Sequence, residues 1–484
     1  MGLVGILVAL GLLIWLSFRG WSVLLLAPAV AIVAAAFAGE PLLAHWTQTF
    51  MGSAANFIAQ FFPIFLLGAL FGKLMDDSGS VQAIAGFMSS RLGQRRAILA
   101  VVLAGALVTY GGVSLFVAFF VLAPMARELF RVANIPHRLM PAAIGLGTST
   151  FTMSAMPGTP AIQNTIPMPF FGTTPFAAPG LGIIASAIML AFGLWWLARA
   201  ERLARKSGEG YGGDAGPGTG SVADDQFIRE RATSSHEFDT AEITHGKRSD
   251  MPPPIGTAII PLLVVVGVNL LLSVLILPRL DFSFLGEERW GRTSLAGVAG
   301  VWSVAVALAA ATATLIALNR GRLADVRSSM DAGANASVLP IFSVASLVGF
   351  GAVVAALPAF ALVRDWVLSI PGGPLVSLAI ATNVLAAMTG SASGGLTIAL
   401  DALGDTYLQI AKTAQIDPGL MHRIAVIGSG TLDSLPHNGA VVTLLAVCGS
   451  THRDSYFDMV MANIVGPVIA LAAVIVLGSM LGSF

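Results

Sequence analysis

Long apolar runs separated by short polar segments fill most of the chain. Many of these runs approach the ~20 residues that a helix needs to cross a bilayer. We therefore predict an all-α polytopic membrane protein. The predicted crossings lie at residues 2–18, 21–38, 54–72, 138–171, 176–198, 255–278, 294–318, 338–360, 423–447 and 459–481.

Two pairs of apolar runs are too short to cross. The first pair, 97–109 and 115–126, is separated by a Tyr-Gly-Gly-Val-Ser segment at 110–114, and each run is only about 20 Å long as a helix. Basic residues on both sides of the pair favour a re-entrant hairpin; a single kinked span is the alternative. The second pair, 375–388 and 396–410, flanks a segment rich in Gly and Ser and is interpreted in the same way.

Two of the crossings are interrupted by proline and glycine. Residues 431–440 and residues 152–161 each contain such a break, and Pro436 falls opposite Pro157 when the two are aligned. Proline and glycine interrupt helical hydrogen bonding and leave backbone groups that need other partners. Broken helices in corresponding parts of two halves are the best sequence indication of a transporter's binding site.

The same order of elements occurs twice along the chain. Thr109 and Pro157 in the first half are matched by Thr389 and Pro436 at almost the same separation. Each half has an odd number of full crossings, so the second half must be inverted relative to the first. We predict two inverted repeats, each with three spans, a re-entrant hairpin, a broken span and a final span. The first repeat covers 1–198, with a hairpin at 97–127 and a broken helix at 138–171; the second covers 254–484, with a hairpin at 373–412 and a broken helix at 423–450.

The composition changes between the repeats. Residues 199–253 are rich in Gly, Ser and charged residues and hold few long apolar side chains. Such a segment cannot bury enough apolar surface to offset the entropy of ordering it, so it is predicted to be a disordered linker. The whole chain of 484 residues has a net charge of zero, which gives no indication of a nucleic-acid partner. Its single cysteine, Cys448, excludes an internal disulfide and a multi-cysteine metal site.

The distribution of basic residues predicts the orientation. With both termini outside, most of the 26 Lys and Arg residues, and the central linker, fall on the cytoplasmic side. Arg423 is then assigned to the outer side, and no Lys or Arg is placed deep in a span.

The breaks and hairpin tips predict the chemistry of the site. They expose helix N-termini, whose partial positive charge and free N–H groups suit a carboxylate. Hydroxyl and amide groups around them suit a hydroxylated substrate, although each Ser or Thr could instead satisfy the backbone at a kink. The candidate substrate-binding residues are Gly111, Gly112, Ser114, Thr152, Ser154, Thr159, Gln163, Asn164, Ser391, Ser393, Gly394, Ser434, His437 and Asn438.

Asp433 and His437 are the candidate proton-coupling residues. Asp433 is the only acid that the sequence places deep in a span, and burial disfavours the charged form of a carboxyl group. It could therefore bind a proton together with substrate and release it inside. The alternative is that Asp433 caps the half-helix after the break. No cofactor or metal is predicted; the energy source is a proton gradient, and sodium remains open.

Several motifs are shared with a known family of permeases. They lie at residues 110–117, 127–131, 133–136, 151–160, 162–164 and 434–437. By these motifs the chain resembles the gluconate permease family. The resemblance implies proton-coupled uptake of a small organic anion such as gluconate, across a bacterial inner membrane, by an elevator-type transporter that forms a homodimer.

Three other functions compete with gluconate uptake. Residues 438–443 are more apolar than in the gluconate carriers and resemble a branch proposed to carry 3-hydroxybutyrate or short keto-acids. A cation/proton antiporter on the same scaffold would need more acidic residues within the membrane than Asp433. An enzyme would need a nucleophile with a positioned base, and the repeat gives that interpretation little support. The identity of the acid therefore stays open.

Overall fold

The structure is a computed structural model that describes residues 2–18, 21–93, 96–212, 249, 251–436 and 438–484. Its regular elements within these ranges are all helical. The amino-terminal half contains α1 (Gly2–Phe18), α2 (Val23–Ala38), α3 (Leu42–Asp77), α4 (Ser80–Leu92), α5 (Ala97–Tyr110), α6 (Leu115–Val132), α7 (Met140–Thr148), α8 (Phe151–Ser154), α9 (Ile162–Thr165), α10 (Pro167–Phe171) and α11 (Pro179–Lys206). The carboxy-terminal half contains α12 (Ile255–Arg279), α13 (Leu295–Asn319), α14 (Val326–Ala336), α15 (Val338–Ala356), α16 (Phe360–Leu368), α17 (Gly373–Thr389), α18 (Ala392–Thr413), α19 (Pro418–Thr431), α20 (Gly439–Cys448) and α21 (His452–Leu481).

Within the described part of the chain, six helical segments are long and apolar enough to cross a membrane. They are α3, α11, α12, α13, the continuous α14–α15 segment and α21. Among the shorter elements, much or all of α1, α2, α5, α17 and α20 is also apolar. The prediction of an all-α, multi-pass membrane protein is therefore confirmed.

Several helices extend beyond their predicted ends. The third helix begins at Leu42 rather than near Ala54, because a π-helical turn at His45–Phe50 continues into it without a break. The helix α11 continues through Lys206, past the start predicted for the linker, and ends with basic side chains that complement its dipole. Of the predicted linker, residues 213–248 and 250 lie outside the described residues.

The two predicted hairpins pack side by side with the broken helices. Within each pair, the arms contact each other: α5 with α6, and α17 with α18. The inner arms contact the first halves of the two broken helices, α5 with α7 and α17 with α19. The outer arms cross over to the other broken helix, so that α6 contacts α20 and α18 contacts α10. Each break is therefore enclosed by elements from both halves of the chain.

Polar contacts join segments from both halves at each end of the molecule. At one end, Arg138 pairs with Glu209, just beyond α11, and with Asp458 of α21. At the carboxy-terminal end of α3, Asp77 accepts hydrogen bonds from Lys73 and Ser329, and all three residues are buried. At the other end, the Gly180 N–H donates to the carbonyl of the carboxy-terminal Phe484 at 2.7 Å.

Gly147 allows α7 to pack closely against α5 beside the first break. A Cβ added to Gly147 of α7 would lie 2.3 Å from the Val102 carbonyl oxygen of α5. Because that oxygen belongs to the backbone of a buried helix, it cannot move aside as a flexible side chain would. The packing that positions the first break therefore requires glycine at position 147.

Gly147→Ala is expected to lower the free energy of unfolding by about 1–3 kcal/mol, because overpacking forces α5 and α7 apart. Thermal unfolding of the purified protein in detergent measures the change. Gly267→Ala in α12 is the matched control, since its added Cβ would meet nothing within 4 Å. Equal melting temperatures for the two variants would contradict the tight packing of α5 on α7.

Candidate functional site

The first break frees backbone carbonyls, and side chains from other elements hydrogen-bond to them. Residues 155–161 are non-helical, and Gly158 has a φ of 81°. The Tyr110 hydroxyl at the first hairpin tip donates to the Pro157 carbonyl at 2.8 Å. Asn269 of α12 donates to the Gly158 carbonyl at 3.1 Å. These bonds replace the helical partners that the prolines removed.

Arg423 of α19 donates five hydrogen bonds to oxygens of residues in and next to this break. Its Nε and one terminal nitrogen donate to the Ala177 carbonyl at 3.1 and 2.7 Å. Its other contacts are the Ser154 carbonyl at 3.3 Å, the Asn164 amide oxygen at 3.1 Å and the Pro175 carbonyl at 3.4 Å. All five donors of the guanidinium therefore have an oxygen partner, and the residue is 0% exposed.

Asn164 links Arg423 to the neighbouring His422. Its amide nitrogen donates to the carbonyls of Thr159 and Pro175, both at 3.0 Å, so its oxygen must be the acceptor for His422 Nε2 at 3.3 Å. The neutral tautomer with a proton on Nε2 satisfies this bond, and its Nδ1 then accepts from the Thr173 hydroxyl at 2.6 Å. The network needs no charge on His422.

The second break is held by Asn438. Its side-chain oxygen accepts from the N–H groups of Ala440 and Val441 and caps α20. Its amide nitrogen donates to the Gly390 carbonyl at the second hairpin tip, at 2.7 Å, and to Asp433 Oδ1 at 2.8 Å. The capping role left open for Asp433 therefore belongs to Asn438, with Asp433 as its hydrogen-bond partner.

The described residues between α19 and α20 are not helical. The helix α19 ends at Thr431, and Asp433 lies in a turn. His437 itself lies outside the described residues. Nearby carbonyls are again bound by side chains: the Tyr456 hydroxyl donates to Ser434 at 3.1 Å.

A cavity of about 180 Å³ lies between the first break and the two hairpins. It is lined at the first tip by Gly112 and Ser114, at the break by Gln163, and at the second tip by Ser393. The long helices α3 and α14–α15 complete its wall, with Ser337 between α14 and α15. This volume is large enough for several water molecules or a small organic acid.

The two hairpin tips present different helix N-termini. Ser391 caps α18, because its hydroxyl accepts from the Gly394 N–H at 3.1 Å. Ser114, at the equivalent position before α6, makes no side-chain capping bond and lines the cavity. Gly112 holds the first tip in a left-handed conformation with a φ of 97°, and an added Cβ would lie 2.9 Å from Pro160. The first tip therefore directs the partial positive end of α6 toward the cavity.

The structure divides the predicted site residues into three groups. Those lining the 180 Å³ cavity are Gly112, Ser114, Gln163 and Ser393. Those lining a tight pocket of about 10 Å³ at the second break are Asp433, Ser434 and Asn438. Those behind the cavity wall, in hydrogen bonds or close packing, are Gly111, Thr152, Ser154, Thr159, Asn164, Ser391 and Gly394.

The burial of charged side chains was not evident from the sequence pattern. Arg423, which the distribution of basic residues assigns to the outer side, is fully buried within the protein, as is Lys73. Asp433 is half-buried, whereas Asp77 and Asp458 are 1% and 2% exposed. Single polar residues inside apolar helices, such as Asn269, were a signal that could have identified the partners of the break.

The fold has known relatives among membrane transporters. The YdaH transporter of Alcanivorax borkumensis has a TM-score of 0.51 at 15% identity, with 90% of this chain and 89% of that chain covered. MtrF of Neisseria gonorrhoeae, described within a class of antimetabolite efflux pumps, has a TM-score of 0.54 at 13% identity, with 91% and 85% covered. The chain therefore shares the fold of these two proteins, and its apolar helices are those of a multi-pass membrane protein.

Sequence comparison identifies the family. The sequence model of the GntP family permease matches residues 1–176. The uncharacterized transporter YxjC of Bacillus subtilis (strain 168) is 40% identical over 489 residues, with 100% of both chains covered. The high-affinity gluconate transporter of Escherichia coli (strain K12) is 32% identical over 121 residues, 24% of this chain and 26% of that protein. The chain belongs to the GntP family of permeases, whose members are transporters and not enzymes.

Gln163 and Asn164 are expected to respond oppositely to replacement by alanine. Gln163 lines the cavity and has no hydrogen-bond partner within the described residues, so Gln163→Ala should leave stability unchanged. Its substrate affinity should fall roughly 2- to 10-fold if the amide contacts the ligand. Asn164→Ala should instead cost about 1–3 kcal/mol of unfolding free energy, because it leaves buried partners unsatisfied. Thermal unfolding in detergent measures stability, and ligand titration measures affinity. A loss of stability in Gln163→Ala with none in Asn164→Ala would contradict the geometry.

Proposed function

We propose that the protein is a secondary active symporter that imports a small hydroxy-acid anion, such as gluconate, together with a proton. The observation that carries the proposal is the 180 Å³ cavity, where the uncapped N-terminus of α6 meets side-chain hydroxyl and amide groups. A helix N-terminus attracts the carboxylate, and the polar groups suit the substrate's hydroxyls. The described residues that line the cavity include no acid, which disfavours a cation/proton antiporter.

A shorter acid such as 3-hydroxybutyrate, or a keto-acid of similar size, is the second candidate. Apolar side chains contribute much of the cavity lining, including Phe65, Met153 and Leu308. These surfaces suit a methyl-terminated acid better than a fully hydroxylated chain.

Asp433 is proposed to bind the coupled ion. It lies in the tight pocket at the second break, and Leu115 lines both that pocket and the larger cavity. The first residue of α6 thus separates the proposed substrate site from the proposed proton site. A shift of the first hairpin tip would change both sites together. A sodium ion in place of the proton is the alternative for the same carboxylate.

The contacts between helices support an inverted repeat and elevator-type transport. The contact between α1 and α2 in the first half corresponds to the contact between α12 and α13 in the second. The contact of α2 with α15 likewise corresponds to that of α13 with α3. In both halves the outer hairpin arm contacts the broken helix of the other half. On this scheme α3 and α15, which contact each other, form the static part, and the hairpins with the broken helices move.

The proposed orientation places both termini outside. The end with Arg138, Glu209 and Lys73 then faces the cytoplasm of a bacterial cell, and the end with Gly180 and Phe484 faces outward. The greater share of basic residues at the first end supports this orientation.

Proteoliposomes containing the purified protein should accumulate radiolabelled gluconate or 3-hydroxybutyrate when the outside is acidic. A sodium gradient at constant pH should give no accumulation if the coupled ion is a proton. Empty liposomes are the control. Failure to move any acid in a panel of three- to six-carbon hydroxy- and keto-acids, under either gradient, would contradict the proposal.

Asp433→Asn is expected to retain substrate exchange and to lose accumulation driven by a pH gradient. Asparagine preserves the oxygen that accepts from Asn438, so the break should remain intact while the titratable proton is lost. Counterflow and pH-driven uptake in the same proteoliposomes measure the two activities. Asp405→Asn, at an exposed position of α18, is the matched control. Normal accumulation by Asp433→Asn would assign the coupling to another residue.

A further inference from the structure

The Arg423 guanidinium is a buried cation surrounded by neutral oxygens. Its partners are three backbone carbonyls and the amide oxygen of Asn164. No carboxylate oxygen of the described residues lies within 4.0 Å of it. A fully buried arginine ordinarily pairs with an opposite charge. Among the residues that the structure describes, none supplies such a partner at Arg423.

The charge lies directly behind the cavity wall. Two of its partners, Ser154 and Asn164, each follow a residue that lines the cavity, Met153 and Gln163. Adjacent Cα atoms are 3.80 Å apart, so the guanidinium is within roughly 10 Å of the backbone of residues that line the cavity. Since its five donors are already used, its action on a ligand is through its charge and not through a direct hydrogen bond.

We infer that Arg423 makes the cavity select carboxylates over neutral molecules of the same shape. This inference rests on the proposed function and identifies the residue that sets its charge selectivity. A unit charge at about 10 Å, with an effective dielectric constant of ~20, changes the affinity for an anion by about tenfold. A neutral ligand gains almost nothing from that charge. Arg423 thus has two roles, to position the first break and to attract the anion.

The field of Arg423 is added to that of the α6 N-terminus. The helix end carries only a partial charge, which weakens beyond the first turn. The guanidinium carries a full charge, and its fixed hydrogen bonds hold it in one place during binding. The two sources lie on different elements, so a substitution at Arg423 leaves the helix end unchanged.

The test compares a carboxylate with its amide in the same protein sample. Gluconate and gluconamide are the first probe pair, and 3-hydroxybutyrate with its amide is the second. Dissociation constants in detergent give a preference ratio, which does not depend on the fraction of folded protein. The wild type is expected to prefer the carboxylate in at least one pair.

Three variants separate charge from structure. Arg423→Gln should lower the preference ratio about tenfold, because the charge is lost. Arg423→Lys should keep most of the ratio despite fewer hydrogen bonds and lower stability. Asn164→Asp places a neutralising carboxylate beside the guanidinium, keeps an acceptor oxygen there, and should lower the ratio as Arg423→Gln does. Arg364→Gln removes an exposed charge on α16 and should leave the ratio unchanged.

The outcomes distinguish this inference from the proposed function. A ratio that survives in both Arg423→Gln and Asn164→Asp, with transport intact in the wild type, would overturn the role of Arg423 alone. Equal losses of the ratio in Arg423→Lys and Arg423→Gln would reduce Arg423 to a structural residue and also overturn it. A wild type that prefers no carboxylate in either pair would overturn both the selectivity and the proposed substrate class.

Discussion

A helix that breaks inside an apolar protein exposes carbonyl groups that lipid cannot solvate, and the arrangement of this protein depends on meeting that requirement. At the first break the donors come from Tyr110, Asn269 and Arg423, which belong to three different helices. At the second break Tyr456 donates to one freed carbonyl, and Asn438 caps the helix that follows. Each break is completed by distant parts of the chain, so neither is a local feature.

The two breaks meet this requirement with different results. The first leaves a cavity at its surface, lined by Gln163 and by the open end of α6. The second closes around Asp433 and Asn438, with a pocket of about 10 Å³. The two breaks thus have unequal environments, one with room for a small organic acid and one with room for about one water molecule. The symport proposed above requires two such sites in contact.

Much of the helical pattern could be predicted because apolar length and Pro-Gly interruptions are local properties. The half-length arms at 97–109 and 375–388, and the breaks at Pro157 and Pro436, needed no long-range information. The environment of Arg423 could not be predicted in this way. Arg423 lies close to the helix start at Pro418, so its place in the sequence is typical of a residue next to a loop. Its hydrogen-bond partners are 246 to 269 residues away in the sequence. Hydropathy assigns a side chain to a side of the membrane, whereas only tertiary packing determines which carbonyls surround it.

The dependence of the first break on Arg423 has a consequence for biosynthesis. The Ala177 carbonyl is translated 246 residues before the side chain that binds it. At ordinary rates of synthesis this delay is about 10 to 50 s. During that time the amino-terminal half sits in the membrane with buried acceptors that lack their final donors. Its first break can adopt its final form only when α19 arrives, so the two halves mature as one unit.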